Sequence, residues 1–123
     1  LGMSKESLAD SIEDESFHLM GVDDQNKVIA SGRVHFNSSV EAQIRYMAVD
    51  DNFKRKGIGS EIVFQLENYA SSKGAEFIIL NAREKAIIFY KNLGYEELGP
   101  YKSDTGIPHK TMRKSLNTKE VVQ

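Results

Sequence analysis

A basic turn that contains two glycines is the part of this sequence whose residue types most directly suggest chemistry. It spans residues 50–60, in which three consecutive cations, Lys54 to Lys56, precede Gly57 and Gly59. The first backbone N–H groups of a helix are unpaired and carry partial positive charge, so a turn that exposes them beside cations suits an anion. We therefore predict that this turn binds phosphate.

The spacing of the glycines excludes two familiar phosphate loops. The P-loop of ATPases needs a Gly-Lys-Ser/Thr ending that is absent here, and the dinucleotide-binding fingerprint needs a third glycine. On the turn alone, an ordinary helix start with solvated lysines is an equally good interpretation. The surrounding elements have to decide between the two.

The elements on either side of the turn are a strand and a helix. Residues 44–49 have the composition of a β-strand, and residues 58–73 have apolar side chains at helical spacing, followed by Gly74 as a helix stop. The apolar face of this helix consists of Ile58, Ile62, Val63, Leu66, Tyr69 and Ala70. Gly59 falls on the same face, where the lack of a side chain permits close approach.

The first half of the chain predicts an antiparallel meander. We predict a loop with at most one helical turn over residues 1–15, and then strands over 16–22, 28–36 and 40–49, separated by turn-forming residues. Gly32 interrupts the second of these strands and indicates a bulge or a close backbone contact.

Alternation along the third strand assigns its side chains to two faces. One face would carry the side chains at even positions, from Ala42 and Ile44 to Tyr46 and Ala48. The other would carry the odd positions, from Glu41 to Val49, and would become apolar only at its end.

The second half predicts a parallel strand and a second helix. The apolar run 77–80 suits a strand that is buried on both faces after a helical crossover. A helix over 84–93 ends at Gly94, a strand over 95–98 is stopped by Gly99-Pro100, and residues 112–116 form the last strand. The fold class is thus α+β, with a mixed central sheet and two main helices, and residues 117–123 are predicted to be a flexible tail.

Composition restricts the function classes. The 123 residues suffice for one domain, and a net charge of −2 provides no general field for nucleic acid. The absence of cysteine excludes disulfides, thiolate metal sites and a cysteine nucleophile. No apolar run is long enough to span a membrane, and no cluster of His, Asp or Glu has metal-ligand spacing. We expect a cytoplasmic, bacterial protein that uses no metal.

The order of these elements, together with two motifs, resembles the GNAT superfamily of N-acetyltransferases. The superfamily's pyrophosphate signature, Gln/Arg-x-x-Gly-x-Gly/Ala, is matched by residues 54–59, with Lys54 in place of Gln or Arg. Residues 81–95 resemble its Asn-x-x-Ala-x-x-Phe-Tyr-x-x-x-Gly-Phe segment, with Arg83 at the usual asparagine position. Asn81-Ala82 and residues 106–112 (Gly-Ile-Pro-His-Lys-Thr-Met) resemble the ElaA-like branch.

The resemblance implies an acetyl-CoA-dependent N-acetyltransferase that acylates a primary amine, of a small molecule or a protein, by direct attack in a ternary complex. Coenzyme A would enter where the third strand and the strand at residues 77–81 diverge. The residues implied in coenzyme binding are Met47, Ala48, Val49, Lys54, Arg55, Lys56, Gly57, Ile58, Gly59, Ser60, Asn81, Arg83, Phe89 and Tyr90.

The resemblance also places Tyr90 as the general acid, because Tyr90 follows Phe89 as the family's acid does. A phenol, with a pKa near 10, can protonate the departing thiolate when the site assists. The other interpretation is a buried tyrosine whose hydroxyl pairs with the backbone. Glu41, His35 and His109 are open candidates for the base, each with a structural or solvated role as the alternative, and a water chain could also serve.

Family domains normally begin with a strand and one or two helices before the acidic residues at positions 13–15. We therefore interpret residues 1–123 as a single, N-terminally short domain. An alternative function is a non-catalytic acyl-CoA-binding module, or a partial domain that another chain completes. The expected partners are acetyl-CoA and an amine acceptor, without nucleic acid or membrane, and a homodimer is left open by the apolar residues Phe64, Ile87 and Ile88.

Overall fold

The computed structural model describes residues 2–6, 16–54, 56–101 and 106–116, which form one mixed β-sheet and two helices. The elements in chain order are β1 (Gly2–Glu6), β2 (Ser16–Val22), β3 (Val28–Phe36), β4 (Glu41–Val49), α1 (Ile58–Ser72), β5 (Phe77–Arg83), α2 (Ile87–Asn92), β6 (Glu96–Tyr101) and β7 (His109–Ser115). Short 3₁₀ turns at Asp51–Phe53 and Glu84–Ala86 precede the two helices.

The seven strands lie in the order β1-β2-β3-β4-β5-β7-β6. Every neighbouring pair is antiparallel except β4 and β5, which are parallel and are joined by the α1 crossover. The predicted α+β sheet, with its meander followed by a parallel strand, is confirmed. The position of β7 between β5 and β6 was not predicted.

Several predicted boundaries are wrong: β5 continues beyond residue 80 to Arg83, and β7 begins at His109 rather than at residue 112. Residues 2–6 form a strand paired with β2, where a loop was predicted, because the partner strand supplies hydrogen bonds that local sequence does not reveal. β6 continues through Gly99-Pro100, because β6 is an edge strand, where proline need not donate to a ladder. The second helix begins as a 3₁₀ turn. Residues 7–15 and the predicted tail, 117–123, lie outside the described residues.

The core lies between α1 and one face of the sheet. The predicted apolar face of α1 supplies Ile62, Leu66 and Ala70, all fully buried, and the sheet supplies buried side chains from each central strand. These sheet residues are Leu19, Val34, Ala42, Ile44, Ile78, Leu80 and Met112. Gly74 ends the helix in a left-handed conformation, with φ +102°, as a C-terminal glycine does.

The opposite face of the sheet carries polar side chains. His18 on β2, Arg33 on β3 and Arg45 on β4 alternate with the buried core residues of their strands, and none of the described helices covers them. Within the described part of the chain, no helix is long and apolar enough to cross a membrane.

Candidate functional site

The parallel strands β4 and β5 pair over only part of their lengths. Glu41, Ala42 and Gln43 pair with Phe77, Ile78 and Ile79. Beyond these positions β4 continues to Val49 and β5 to Arg83, without a pairing between them. We call the space between residues 44–49 and residues 80–83 the β4/β5 gap. Strand edges of this kind present backbone donors and acceptors that an extended ligand can use.

A bulge in β4 lies beside the gap. One residue, Gly32, separates Ser31 from Arg33, whereas two residues, Tyr46 and Met47, separate their partners Ala48 and Arg45. Tyr46 has a φ of +57°, a left-handed conformation that is rare for an aromatic residue. Bulges bend the strand that carries them, and this one bends β4 where it parts from β5.

The bulge reverses the predicted alternation of β4. Ala42 and Ile44 face the core as expected, but the side chains of Tyr46 and Ala48 are exposed. Met47 and Val49 pack against the core instead. The prediction that Tyr46 and Ala48 share the face of Ile44 is therefore wrong, because the extra residue shifts the two-residue period.

Gly32 makes the close contact predicted from the sequence. A Cβ atom at this position would lie 2.7 Å from Met47 Sδ, 2.9 Å from Ile62 Cγ2 and 3.0 Å from Leu66 Cδ1. Two of these distances are below 3.0 Å, which a Cβ atom does not tolerate unless its neighbours shift, so the lack of a side chain at Gly32 lets α1 and the bulge pack this closely against β3.

The basic turn leads directly from the gap into α1. The Asp50 carboxylate accepts a hydrogen bond of 2.8 Å from Asn52 N–H, which caps the 3₁₀ turn. Lys54 forms an exposed ion pair with Asp51, at 3.0 Å, and Lys56 is exposed. Arg55 lies outside the described residues.

The N-terminus of α1 is not capped by a side chain. Gly57 is the N-cap residue, with a φ of +81°, and it makes no side-chain capping bond. Among the described residues, nothing lies within 4 Å of the position that a Cβ atom would take at Gly57, so that part of the structure leaves the space beside it open. The unpaired amides of this first turn, with the helix dipole behind them, favour an anion.

Gly59 joins the helix start to the other parts of the site. A Cβ atom there would lie 3.3 Å from Phe89 Cζ and 3.4 Å from Val49 Cγ2. The first turn of α1 therefore lies in contact range of both the open end of β4 and α2. The sequence predicted all three for one site, and they lie together.

Tyr90 on α2 is buried, with 7% of its surface exposed. Its ring packs edge-on against Phe89 and Tyr95, with centroid distances of 4.9 and 5.6 Å. Burial raises the pKa of Tyr90 to about 12. Among the described residues, no hydrogen bond to its hydroxyl is found, so the predicted alternative of a backbone-paired hydroxyl has no support there. Tyr90 holds its proton at neutral pH.

A buried polar cluster next to Tyr90 was missed by the sequence analysis. The Tyr95 hydroxyl donates to Glu67 Oε2 at 2.9 Å, and Lys114 Nζ lies 3.1 Å from Glu67 Oε1. Burial, together with the charge of Glu67, raises the pKa of Tyr95. A signal was present, since Glu67 falls on the apolar face of α1 between Val63 and Ala70. An acid at such a position indicates a buried partner.

The two polar residues predicted on β5 occupy the sheet face away from α1. Asn81 Oδ1 accepts a hydrogen bond of 2.7 Å from the Thr111 hydroxyl, which leaves the Asn81 amide group as a donor. Arg83 is exposed at the end of β5, next to the gap. Both positions border the open part of the β5 edge.

The three candidate bases are not equally placed. His35 and Glu41 both contact Asn37, at 3.1 and 2.8 Å, at the end where β4 and β5 are paired. Residues 41 and 47 on a strand are separated by roughly 20 Å, so Glu41 is remote from the open end of the gap. His109 on β7 is the strand partner of Arg83 on β5, at the open end of the β4/β5 gap. The Nδ1 atom of His109 lies 2.7 Å from the Ile107 carbonyl oxygen.

Comparison with known proteins identifies the family. A family model described as acetyltransferase (GNAT) domain matches residues 2–116. The chain belongs to the GNAT acetyltransferase family.

Relatives of this GNAT domain agree with that assignment. An uncharacterized N-acetyltransferase, YjcF of Bacillus subtilis, is 35% identical over 106 residues, which cover 85% of this chain and 74% of the relative. A crystal structure of an aminoglycoside 6'-N-acetyltransferase complexed with coenzyme A superposes with a TM-score of 0.77 at 17% identity, over 89% of this chain and 78% of that one. A putative N-acetyltransferase from Lactobacillus plantarum gives 0.75 at 20% identity, over 89% and 79%.

Membership of the GNAT family supports acyl-CoA-dependent acetyl transfer as the general activity of this domain. The structural neighbours, at such low identity, establish the fold. Among the described residues of this GNAT domain, no group of three or more His, Asp or Glu side chains is arranged to hold a metal ion.

Proposed function

We propose that this protein transfers the acetyl group of acetyl-CoA to a primary amine by direct attack in a ternary complex. The observation that carries the proposal is the β4/β5 gap beside a helix N-terminus that has no side-chain cap. Together they offer an unpaired strand edge for an extended amide-containing arm and a set of free amides for a diphosphate. The assignment to the ElaA-like branch stays a prediction from the sequence.

The coenzyme would be held by two groups of residues. Backbone N–H groups of residues 55–60 would bind the pyrophosphate, with Lys54 and Lys56 adding positive charge at the surface. The free edge of residues 47–49 would pair with the pantetheine arm like one more strand. Asn81, Arg83 and Phe89 border this space and complete the proposed binding residues.

Acetyl-CoA supplies an acetyl group that is activated as a thioester. Tyr90 is proposed as the general acid, because its hydroxyl stays protonated and has no hydrogen-bond partner among the described residues. Its proton would be available to the thiolate that acetyl transfer releases. We assign no base, since His35 and Glu41 lie at the paired end of β4 and β5.

Two measurements test the proposal. Acetyl-CoA, CoA and desulfo-CoA should each raise the melting temperature, because a ligand that binds only the folded state stabilises it by mass action. Thiol release from acetyl-CoA should then be followed over a panel of primary amines.

The decisive variant is Tyr90→Phe, with Tyr101→Phe as its matched control, because Tyr101 is exposed on the edge strand β6. Tyr90→Phe should lower kcat by about 10²–10⁴-fold with little change in coenzyme affinity, in line with the loss of a general acid. Tyr101→Phe should behave like the native protein. Unchanged melting curves with all three coenzymes would refute coenzyme binding. Coenzyme binding without turnover on any amine would favour an acyl-CoA-binding module.

A further inference from the structure

The sheet face opposite α1 carries three basic side chains in adjacent positions on three strands. His18 pairs with Arg33, and Arg33 pairs with Arg45, so the three residues form one line across β2, β3 and β4. We call this line the basic row. Directly opposed residues of antiparallel strands have Cα atoms roughly 4.5–5.5 Å apart, so the three side chains project from neighbouring points.

The basic row places the guanidinium groups of Arg33 and Arg45 opposite each other across β3 and β4. Like charges that are directly opposed across two strands destabilise a sheet. Burial lowers the pKa of His35, and the positive charges of Arg45 and Arg33 lower it further. Both guanidinium groups therefore lie close enough to His35 to act on its imidazole. Glu41, an acid on the same face, is held by Asn37 at the far end of β4. No carboxylate in the described part of the chain forms an ion pair with Arg45.

Two further features of the basic row indicate a ligand. The imidazole Nε2 of His18 is buried and has no hydrogen-bond partner among the described residues. Tyr46, next to Arg45, is held in a left-handed conformation with 67% of its surface exposed, and the Arg33 guanidinium lies 5.3 Å from the centre of its ring. An unpaired buried polar atom and an exposed aromatic residue in a left-handed conformation both cost stability, and such costs concentrate at binding sites.

The basic row lies beside the β4/β5 gap. Gln43 is the last β4 residue that pairs with β5, and Arg45 and Tyr46 are among the first residues beyond it. A ligand group on the basic row would therefore sit next to the strand edge at which the acetyl group is proposed to be held.

We propose that the basic row binds an anionic group of the acceptor, so that the substrate is a small amine that also carries a carboxylate or a phosphate. This inference rests on the proposed acetyltransferase function. Arg45, whose side chain is exposed, would bind the anion through its guanidinium, and the face of the exposed Tyr46 ring would border the organic part of the acceptor.

The test compares acceptors that differ only in charge. Free α-amino acids are paired with their amides, and phosphoethanolamine is paired with ethanolamine, so that the two arms distinguish carboxylate from phosphate. We expect the anionic member of at least one pair to have a kcat/KM at least tenfold higher. Equal rates within both pairs, or a preference for the uncharged members, would overturn the proposal.

The variants are Arg45→Gln and, as a control, Arg113→Gln, because Arg113 is an exposed arginine on β7 that stacks on Phe77 at 4.9 Å, away from the basic row. Arg45→Gln should remove about tenfold or more of the preference for the anionic acceptor and leave the neutral one unchanged. Arg113→Gln should change neither. Equal losses for charged and neutral acceptors in Arg45→Gln would also overturn the proposal.

A binding measurement separates this inference from the proposed function. Malonate and inorganic phosphate are titrated into the native protein and Arg45→Gln, and the backbone amide signals of residues 45 and 46 are followed by NMR. Saturable shifts in the native protein that are lost in Arg45→Gln would support the basic row even if no amine were acetylated. Turnover without such shifts and without a charge preference would leave the acetyltransferase function standing and refute the basic row.

Discussion

Replacing Gly32 by alanine should destabilise the protein through a clash at the point where α1, β3 and the β4 bulge meet. The added Cβ would lie 2.7–3.0 Å from atoms of Met47, Ile62 and Leu66. Ile62 and Leu66 are fully buried, so neither can move aside into solvent. Forcing a methyl group into a packed core costs about 1–3 kcal/mol. Alanine also restricts the unfolded chain, which returns about 0.4–1 kcal/mol. We expect a net loss of about 1–2 kcal/mol.

Urea unfolding measures this loss. The transition midpoint of Gly32→Ala should fall by roughly 0.5–1 M at an unchanged m-value. Met47→Ala should cost less in the Gly32→Ala background than in the native protein, because it removes the nearest clashing atom, and the difference is the coupling energy of the pair. A Gly32→Ala protein as stable as the native one, or additive effects in the double variant, would refute the packing argument.

Two further predictions concern the buried polar groups. Lys114→Met should cost about 1–3 kcal/mol, because it leaves the nearly buried Glu67 carboxylate without its cation. Lys91→Met breaks an exposed pair with Glu97 and should cost less, so equal losses of stability in urea unfolding would contradict this prediction. The pKa of Tyr90 is raised to about 12 in the folded state, so the stability that its protonated hydroxyl contributes is complete below pH 10 and is lost between about pH 10 and 12. Across that window the free energy of unfolding of Tyr90→Phe should therefore fall less than that of the native protein. Parallel profiles of stability against pH would contradict the assignment.

Local patterns predicted the parts of the fold that depend on neighbouring residues. The boundaries of β2 and β3 agree with the prediction, because alternating side chains and turn residues specify a hairpin from within. The start of α1 at Ile58 also agrees, because the apolar period and the glycines lie in one short segment. Pairings between distant segments, such as β1 with β2 and β7 with β5, were missed because strand composition carries no information about the partner.

The proposed site was predictable where its signal is a sequence motif. The glycine turn, α2 and the end of β4 lie together as expected. The bulge at Tyr46 was not predictable, because its signal is a mismatch in register with β3 that exists only once both strands are paired. The buried Glu67 could have been found from its position on the apolar face of α1.

The bulge in β4 has a consequence for how this fold could have arisen. Without Tyr46, Arg45 and Met47 would occupy successive rungs opposite β3, and the strand would keep one regular pleat along its length. We expect β4 to straighten, to extend its ladder with β5 and to close the sheet into an uninterrupted surface. The proposed entry of coenzyme A into the β4/β5 gap would then depend on one surplus amino acid, which a single codon insertion supplies.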